Sequence, residues 1–258
     1  MTLTDILAAA RINDGGLTAT IPDDWLQGRT SYGGLSAALA LAAAQGLAPD
    51  LPPLRSAQIA FVGPLAGEVD VRARLLRRGR NATWVGVEVT SAAGVGLTAT
   101  FVFMGPVAGS ALALHAVPPP AGLIAIEAAP PLPSRAGPSF GVHFERRFAL
   151  KRDSEPQPQV CWWVRLAARS GLEPMVELLC CGDALPPGVM PLTGAVALSS
   201  MTWQINLLTP RPQTRDGWWL LRAVGNYAEA GCSSQQMEIW NTEGEAVATA
   251  MQSIAIFG

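Results

Sequence analysis

Two kinds of hydrophobic pattern alternate along this chain. Most segments alternate apolar and polar residues with a period of two, which is typical of strands with one buried face. Among them lies a segment from Ser31 to about Gln45 that is almost entirely Ala and Leu, followed by Gly46. This segment predicts a helix that Ser31 caps and Gly46 ends. Because the helix has no polar face, other elements must enclose it.

The period-two segments of the first half supply that enclosure. Turn residues such as Gly63-Pro64 and Gly79 separate them. We predict five strands, the first at a sheet edge: 17–21, 56–61, 69–75, 83–89 and 97–103. One helix followed by consecutive antiparallel strands indicates an α+β unit in which the sheet wraps the helix.

The same order returns in the second half. An apolar segment around Met175, ended by Gly182 and two prolines, predicts a second short buried helix. Strands are predicted around it over 144–150, 160–166, 195–208, 218–224, 234–240 and 246–257. The sequence I-A-F-V-G-P at 59–64 also matches I-N-L-L-T-P at 205–210, and 94–102 matches 244–252. We interpret the halves as two diverged copies of one unit, the alternative being a chance match in Ala/Val-rich sequence.

The residues between the halves are rich in Ala, Gly and Pro, which is typical of a linker. We therefore predict an N-terminal domain over 1–105, a linker over 106–140 and a C-terminal domain over 141–258. With 49% hydrophobic and 15% charged residues, the chain can bury an ample core.

The charge and cysteine content exclude several classes of function. A net charge of −2 without a long Lys/Arg run argues against binding to nucleic acid or an anionic membrane. Four cysteines without metal-ligand spacing and only two histidines leave little material for a metal site, so we expect no metal and no cofactor. The first residues lack a basic region, and no apolar run reaches the ~18 residues of a membrane span. We therefore expect a cytoplasmic protein.

Asp183 is the first candidate for chemistry. A carboxylate beside so much apolar surface must be hydrogen-bonded or have a raised pKa; alternatively, Asp183 merely closes the helix or begins a turn. Gln252 shares strand parity with Ala248, Ala250 and Ile254, so its amide should be buried and need partners. Those partners could be catalytic, or Gln252 could make only a structural hydrogen bond to a neighbouring strand.

Six segments of this sequence resemble the acyl-CoA thioesterase II (TesB-like) family. They are Y-G-G-L-S-A-A-L-A-L-A-A-A from Tyr32, F-V-G-P-L-A-G-E-V from Phe61, L-L-R-R-G-R-N-A-T-W from Leu75, G-D-A-L-P-P from Gly182, L-S-S-M-T-W-Q-I-N-L-L-T-P from Leu198 and V-A-T-A-M-Q from Val247. The resemblance covers almost the full length. It implies a double hotdog, an α+β fold of two helix-wrapped antiparallel sheets in one chain. It also implies hydrolysis of acyl-CoA or another acyl thioester.

In that family an Asp at the end of the second helix, a Thr or Ser on the next strand and a Gln on the last strand hold the hydrolytic water. By position, the resemblance implies Asp183 for the Asp and Gln252 for the Gln. The first copy has Gln45 and Val102 at the corresponding positions, so only the second copy retains polar chemistry.

The hydroxyl assignment is less direct. Counting back from Pro210 gives Ser200, and Thr202 is expected on the same strand face two residues on. An alignment anchored on Trp203 would instead give Ala197. A further alternative is that Ser200 and Thr202 belong to a solvated strand face.

The remaining candidates concern substrate binding. Gly33 and Gly34 offer backbone N–H groups at a helix N-terminus for a developing oxyanion, or they simply allow close helix packing. Arg77 and Arg80, in the cluster from Arg74, could bind the phosphates of CoA, or they could lie at a solvated hairpin tip.

Other functions fit the residues less well. Hotdog hydratases use G-D-x-N-P-x-H, and here Leu185 and Gly188 replace the Asn and the His. A serine hydrolase is disfavoured because G-x-S-x-G is absent. The non-enzymatic alternative is an acyl-CoA-binding or assembly protein whose catalytic trio is vestigial. In either case we expect a homo-oligomer, because exposed sheet edges and backs tend to pair.

Overall fold

The computed structural model describes residues 1–108, 112–114, 118–133, 137–151, 154–194 and 196–257. The elements of the first half are α1 (Leu3–Ala9), β1 (Arg11–Asn13), β2 (Gly16–Ile21), β3 (Leu26–Gln27), β4 (Thr30–Ser31), α2 (Gly33–Gly46), β5 (Leu54–Phe61), β6 (Gly67–Arg78), β7 (Ala82–Ser91) and β8 (Gly94–Met104). The predicted helix and its five strands are therefore present, with β1 and the short β3–β4 hairpin in addition.

The second half contains β9 (Pro131–Leu132), β10 (Phe144–Phe148), β11 (Gln159–Leu166), α3 (Pro174–Gly182), α4 (Met190–Thr193), β12 (Ala197–Leu207), β13 (Trp219–Glu229), β14 (Cys232–Trp240) and β15 (Ala246–Phe257). Short 3-10 helices occupy 23–25, 139–143 and 215–217. The predicted strands are again present, and β13 extends five residues beyond its predicted end at 224.

Thirteen of the strands form one antiparallel sheet in the order β1-β2-β6-β7-β8-β5-β12-β15-β14-β13-β11-β10-β9. Read outward from the centre, the two halves have the same arrangement, since β5-β8-β7-β6-β2-β1 corresponds to β12-β15-β14-β13-β11-β10. The halves join where β5 pairs with β12, for example Ile59 opposite Trp203. The two wrapped sheets expected from the sequence are thus continuous with each other.

The two long buried helices lie side by side and antiparallel inside this sheet. At one end Gln45, near the end of α2, donates from Nε2 to Glu173 Oε2 at 3.3 Å, and Glu173 caps the start of α3. At the other end Asp183 follows α3 and meets the N-terminus of α2. The helix pair therefore has two junctions, one at each end.

The expectation that Ser31 caps α2 is wrong. The helix begins one residue later than a Ser31 cap requires, with Tyr32 as the N-cap, and no side chain caps it. Ser31 instead belongs to β4, and its hydroxyl accepts a hydrogen bond from that of Ser36 at 3.0 Å. The N-terminal N–H groups of α2 are consequently left for another partner.

Part of the predicted linker packs closely on the second half. Ile124 accepts a hydrogen bond from Trp163 Nε1 at 2.9 Å, and Ala129 lies in a small apolar cluster with Trp163, Trp218 and Trp240. This cluster lies apart from the main core, which surrounds α2 and α3. The described part of the linker therefore packs into a small second core that is built mainly by residues of the second half.

Candidate active site

Asp183 terminates α3 directly after Gly182, where that helix packs closely against the sheet. A Cβ added at Gly182 would lie 3.2 Å from atoms of Trp203 and of Ile239, so glycine permits this close approach. The backbone then turns at Asp183 (φ −96°, ψ 8°) and the helix ends. The Asp183 side chain is half-buried and lines a cavity.

Two hydrogen bonds reach the Asp183 carboxylate. Gln252 Nε2 donates to Oδ1 at 2.7 Å, and the backbone N–H of Gly34 also donates to the carboxylate. Burial raises the pKa of Asp183 to about 7, although both hydrogen bonds act to lower it. A carboxylate with a pKa near neutrality can exchange protons at physiological pH, which is what a general base requires.

The glycine pair brings the two halves of the chain together at this carboxylate. A Cβ at Gly33 would lie 2.6 Å from Asp183 Oδ2, and one at Gly34 would lie 2.5 Å from the Cys180 carbonyl oxygen. The hydroxyl of Tyr32 donates to that same carbonyl at 2.6 Å. The positive N-terminal end of α2 therefore faces Asp183, which stabilises negative charge there.

Gln252 is held by a residue that the sequence analysis did not single out. Gln235 Nε2 donates to Gln252 Oε1 at 2.7 Å, and the N–H of Gly188 donates to Gln235 Oε1 at 2.7 Å. Gln235 is 1% exposed, between the buried residues Ser233 and Met237 of the same strand parity. The signal was present in the sequence, since Gln235 is an amide on the apolar face of a predicted strand.

The two candidate hydroxyls lie on opposite faces of the sheet, so the expectation of a shared face is wrong. Ser200 pairs with Ile254, but the next paired residue on β12 is Thr202, opposite Ser253. The bulge at Met201 adds one residue and reverses the parity. Ser200 consequently lines the cavity with Asp183, whereas Thr202 is exposed on the outer face.

The cavity beside Asp183 has a volume of about 1310 Å³. Its wall includes the apolar side chains of Leu132, Phe140, Phe148, Val160, Trp162 and Leu185. Among the residues that the structure describes on this wall, the charged ones besides Asp183 are Arg146, Lys151 and Glu155. An elongated apolar group could occupy this space with its reactive end near Asp183.

Arg77 and Arg80 lie elsewhere. Both are exposed near the turn between β6 and β7, where the Arg77 guanidinium lies 5.6 Å from the centre of the Trp84 ring. Neither belongs to the described residues that line the cavity. The structure does not bring them to Asp183, and their role in binding phosphates stays a prediction.

The two buried cysteines at the end of α3 are poor candidates for a nucleophile. Burial raises the pKa of Cys180 and of Cys181, so both thiols remain neutral and poor nucleophiles.

Within the ranges that the structure describes, no group of three or more His, Cys, Asp or Glu residues could hold a metal ion. Nor is any helix in the described ranges long and apolar enough to cross a membrane.

Comparison with known proteins gives consistent matches. A model of the acyl-CoA thioesterase N-terminal domain matches residues 21–104, and one of the acyl-CoA thioesterase C-terminal domain matches residues 123–256. Among curated proteins, none matches this sequence.

Solved structures share the fold over nearly the whole length. A conserved protein with the hot dog fold from Alicyclobacillus acidocaldarius is 18% identical, with a TM-score of 0.80 and coverage of 100% of this chain and 99% of that one. The tesB protein of Mycobacterium avium subs paratuberculosis is 18% identical, with a TM-score of 0.79 and coverage of 100% of both chains. Acyl-CoA thioesterase II TesB2 of Mycobacterium marinum is 15% identical, with a TM-score of 0.73 and coverage of 100% of this chain and 97% of that one. The double hotdog fold predicted from the sequence is confirmed.

Proposed function

The chain belongs to the acyl-CoA thioesterase family, and from this premise we propose that Asp183 is the general base of its thioester hydrolysis. The observation that carries the proposal is the position of the Asp183 carboxylate. It lies on the wall of an apolar cavity, between the amide of Gln252 and the N-terminus of α2, with a pKa of about 7.

The reaction needs only water and the chain's own residues. Asp183 takes a proton from a water molecule as the water oxygen bonds to the thioester carbonyl carbon, giving a tetrahedral oxyanion. The carbonyl reforms, the carbon–sulfur bond breaks, and the thiolate of CoA leaves and takes up a proton. The products are the free acid and CoA, and no covalent intermediate with the enzyme is formed.

Gln252 and Ser200 would hold the attacking water. The amide of Gln252 already contacts Asp183, and the Ser200 hydroxyl lines the same cavity. The oxyanion would lie near Gly33, whose N–H belongs to the first turn of α2 and has no acceptor within that helix. The Gly34 N–H is directed at Asp183. The two glycines would therefore have different roles, with Gly34 binding the base and Gly33 binding the oxyanion.

The cavity would hold the acyl chain of an acyl-CoA. Its aromatic and aliphatic side chains gain free energy by covering an apolar chain, at about 25 cal/mol for each Å² removed from water. The substrate class we propose is therefore an acyl-CoA with an apolar acyl group, positioned so that the thioester carbonyl lies beside Asp183.

The test is a pH profile of hydrolysis. Free-thiol release from acyl-CoAs of increasing chain length is measured from pH 5 to pH 9, with the rate of the enzyme-free buffer subtracted. Because only ionised Asp183 accepts a proton, kcat should rise with pH and level off above an inflection near 7. A rate that does not change across this range would exclude Asp183 as the base, and no release from any acyl-CoA would indicate an acyl-binding protein instead.

The opposite faces of Ser200 and Thr202 give a second prediction. Ser200→Ala removes a hydroxyl from the cavity wall and should lower kcat about tenfold, in line with the loss of one hydrogen bond to the attacking water. Thr202→Val, on the outer face, should leave kcat unchanged and serves as the matched control. The reverse ranking in the same thiol-release measurement would place the water on the other side of the bulge.

A further inference from the structure

Three hydrogen bonds connect Gly188 to Asp183 through the side chains of Gln235 and Gln252. The Gly188 N–H determines which end of each amide donates. A backbone N–H can only donate, so Gly188 requires the side-chain oxygen of Gln235 to face it. The NH₂ group of Gln235 must then face Gln252, whose oxygen accepts from it. The NH₂ group of Gln252 is consequently the one that faces Asp183.

We propose that Gln235 is a positioning residue for thioester hydrolysis, which transmits the direction of the Gly188 N–H to the amide of Gln252. This inference rests on the proposed role of Asp183 as the base. Without Gln235, the Gln252 amide could rotate by 180° and present its oxygen to the carboxylate. That orientation repels ionised Asp183 and leaves it with the Gly34 N–H but without the Gln252 donor.

The backbone at Gly188, the first donor in this series of hydrogen bonds, packs tightly against the sheet. A Cβ at Gly188 would lie 2.6 Å from the backbone nitrogen of Gly225 and 3.0 Å from the carbonyl oxygen of Ala223, both on β13. The segment after α3 therefore presses its backbone against the sheet at this point. The Gly188 N–H has a fixed position from which to orient Gln235.

Gln235 does not itself reach the substrate. It is 1% exposed and is not among the residues described on the cavity wall. It should therefore influence the chemical step through Gln252, with little effect on substrate binding. This separates its expected signature from that of Ser200, which lines the cavity, and from that of Gln252, which contacts Asp183 directly.

Among the described groups that face Asp183, Gln252 is the one whose hydrogen bond to the carboxylate can change when its amide rotates. Tyr32, before α2, and Cys180, on α3, both have pKa values raised by burial and are neutral at pH 7. The α2 terminus contributes the N–H of Gly34. The described part of the cavity wall also carries the charged groups Arg146, Lys151 and Glu155.

The first experiment compares Gln235→Met with Gln236→Met. Methionine matches glutamine in shape but carries no amide, and Gln236 is the exposed neighbour on the same strand. For Gln235→Met we expect the acid limb of kcat to move up by about one pH unit, because a donor to the ionised carboxylate is lost. That shift lowers kcat about tenfold at pH 6 and much less at pH 9, with KM unchanged. Gln236→Met should follow the wild type throughout.

A second measurement does not depend on hydrolysis. Carbon-13 NMR titration of the Asp183 carboxyl, identified by its absence in Asp183→Asn, should show the same upward shift in Gln235→Met. In a Gln252→Met background, Gln235→Met should have no further effect, because it acts through Gln252. Gln235→Leu replaces the Met variant if that variant does not fold.

Superimposable titrations of Gln235→Met and the wild type would overturn the proposal, as would a loss of kcat that is equal at pH 6 and pH 9. An absence of thioester hydrolysis in the wild type would instead refute the proposed function. The NMR titration would still decide whether Gln235 orients Gln252.

Discussion

Asp183→Asn is expected to remove at least 99% of the thioester hydrolysis, about a 100-fold loss or more in kcat, while making the folded protein more stable. The activity is lost because an amide cannot take a proton from water. The shape of the side chain and its acceptor for Gln252 Nε2 are retained, so KM should change little. Thiol release at pH 8, where wild-type Asp183 is ionised, measures the loss.

The gain in stability follows from the raised pKa of Asp183. Below about pH 4 the carboxyl is protonated in both the folded and the unfolded chain, and it contributes nothing. Between about pH 4 and pH 7 the unfolded chain releases this proton while the folded chain retains it, so stability falls as pH rises. Above pH 7 the penalty is constant, and asparagine avoids it.

We therefore expect Asp183→Asn to raise the free energy of unfolding by about 1 to 2 kcal/mol above pH 7, and the Tm by about 2 to 6 °C. The two proteins should converge near pH 4. Asp50→Asn is the control of opposite sign, because Arg78 lowers the pKa of Asp50 and its loss cannot stabilise the fold. A variant that is less stable than the wild type at pH 8 would show that the Asp183 charge does not destabilise the folded protein.

Gly34→Ala is expected to give the largest loss of stability. The added Cβ would lie 2.5 Å from the carbonyl oxygen of Cys180 and 2.5 Å from the hydroxyl of Tyr32, which are hydrogen-bonded to each other. Backbone and a fully buried ring cannot move aside cheaply, so we expect a cost of about 3 kcal/mol. Urea denaturation measures it, and the accompanying fall in Tm should be about 6 to 12 °C.

The same substitution at the other end of α2 provides the control. A Cβ at Gly46 meets nothing within 4 Å, and Gly46 has no positive φ. Gly46→Ala should therefore be neutral or stabilise by up to about 1 kcal/mol, since alanine restricts the unfolded chain. Equal stability of the two variants would mean that α2 and α3 do not approach as closely as described.

The sequence was sufficient where one local pattern determines the structure. An apolar run followed by a single carboxylate located Asp183 at a helix end, and strand parity predicted the burial of Gln252 correctly. The order of helices and strands was also readable, because each strand buries one face. The double hotdog fold followed from that order together with the family resemblance.

What could not be predicted depends on contacts between distant segments. The bulge at Met201 reverses the face of Thr202, and no residue type announces it, since the register is set by the pairing with β15. The pairing of β5 with β12 likewise involves residues about 145 positions apart, so local pattern cannot reveal it. Gln235 was visible as a buried amide, but its partners Gly188 and Gln252 were not.

The two junctions of the helix pair carry different chemistry, with Asp183 beside Gly34 at one end and Gln45 beside Glu173 at the other. In a symmetric dimer of identical subunits the two ends would be equivalent, and every substitution would appear at both. Joining unequal copies in one polypeptide removes that constraint. One end can then evolve for reactivity while the other evolves for cohesion, so the reaction centre that we propose at Asp183 needs no counterpart at the Gln45 end, whereas a symmetric dimer would repeat it.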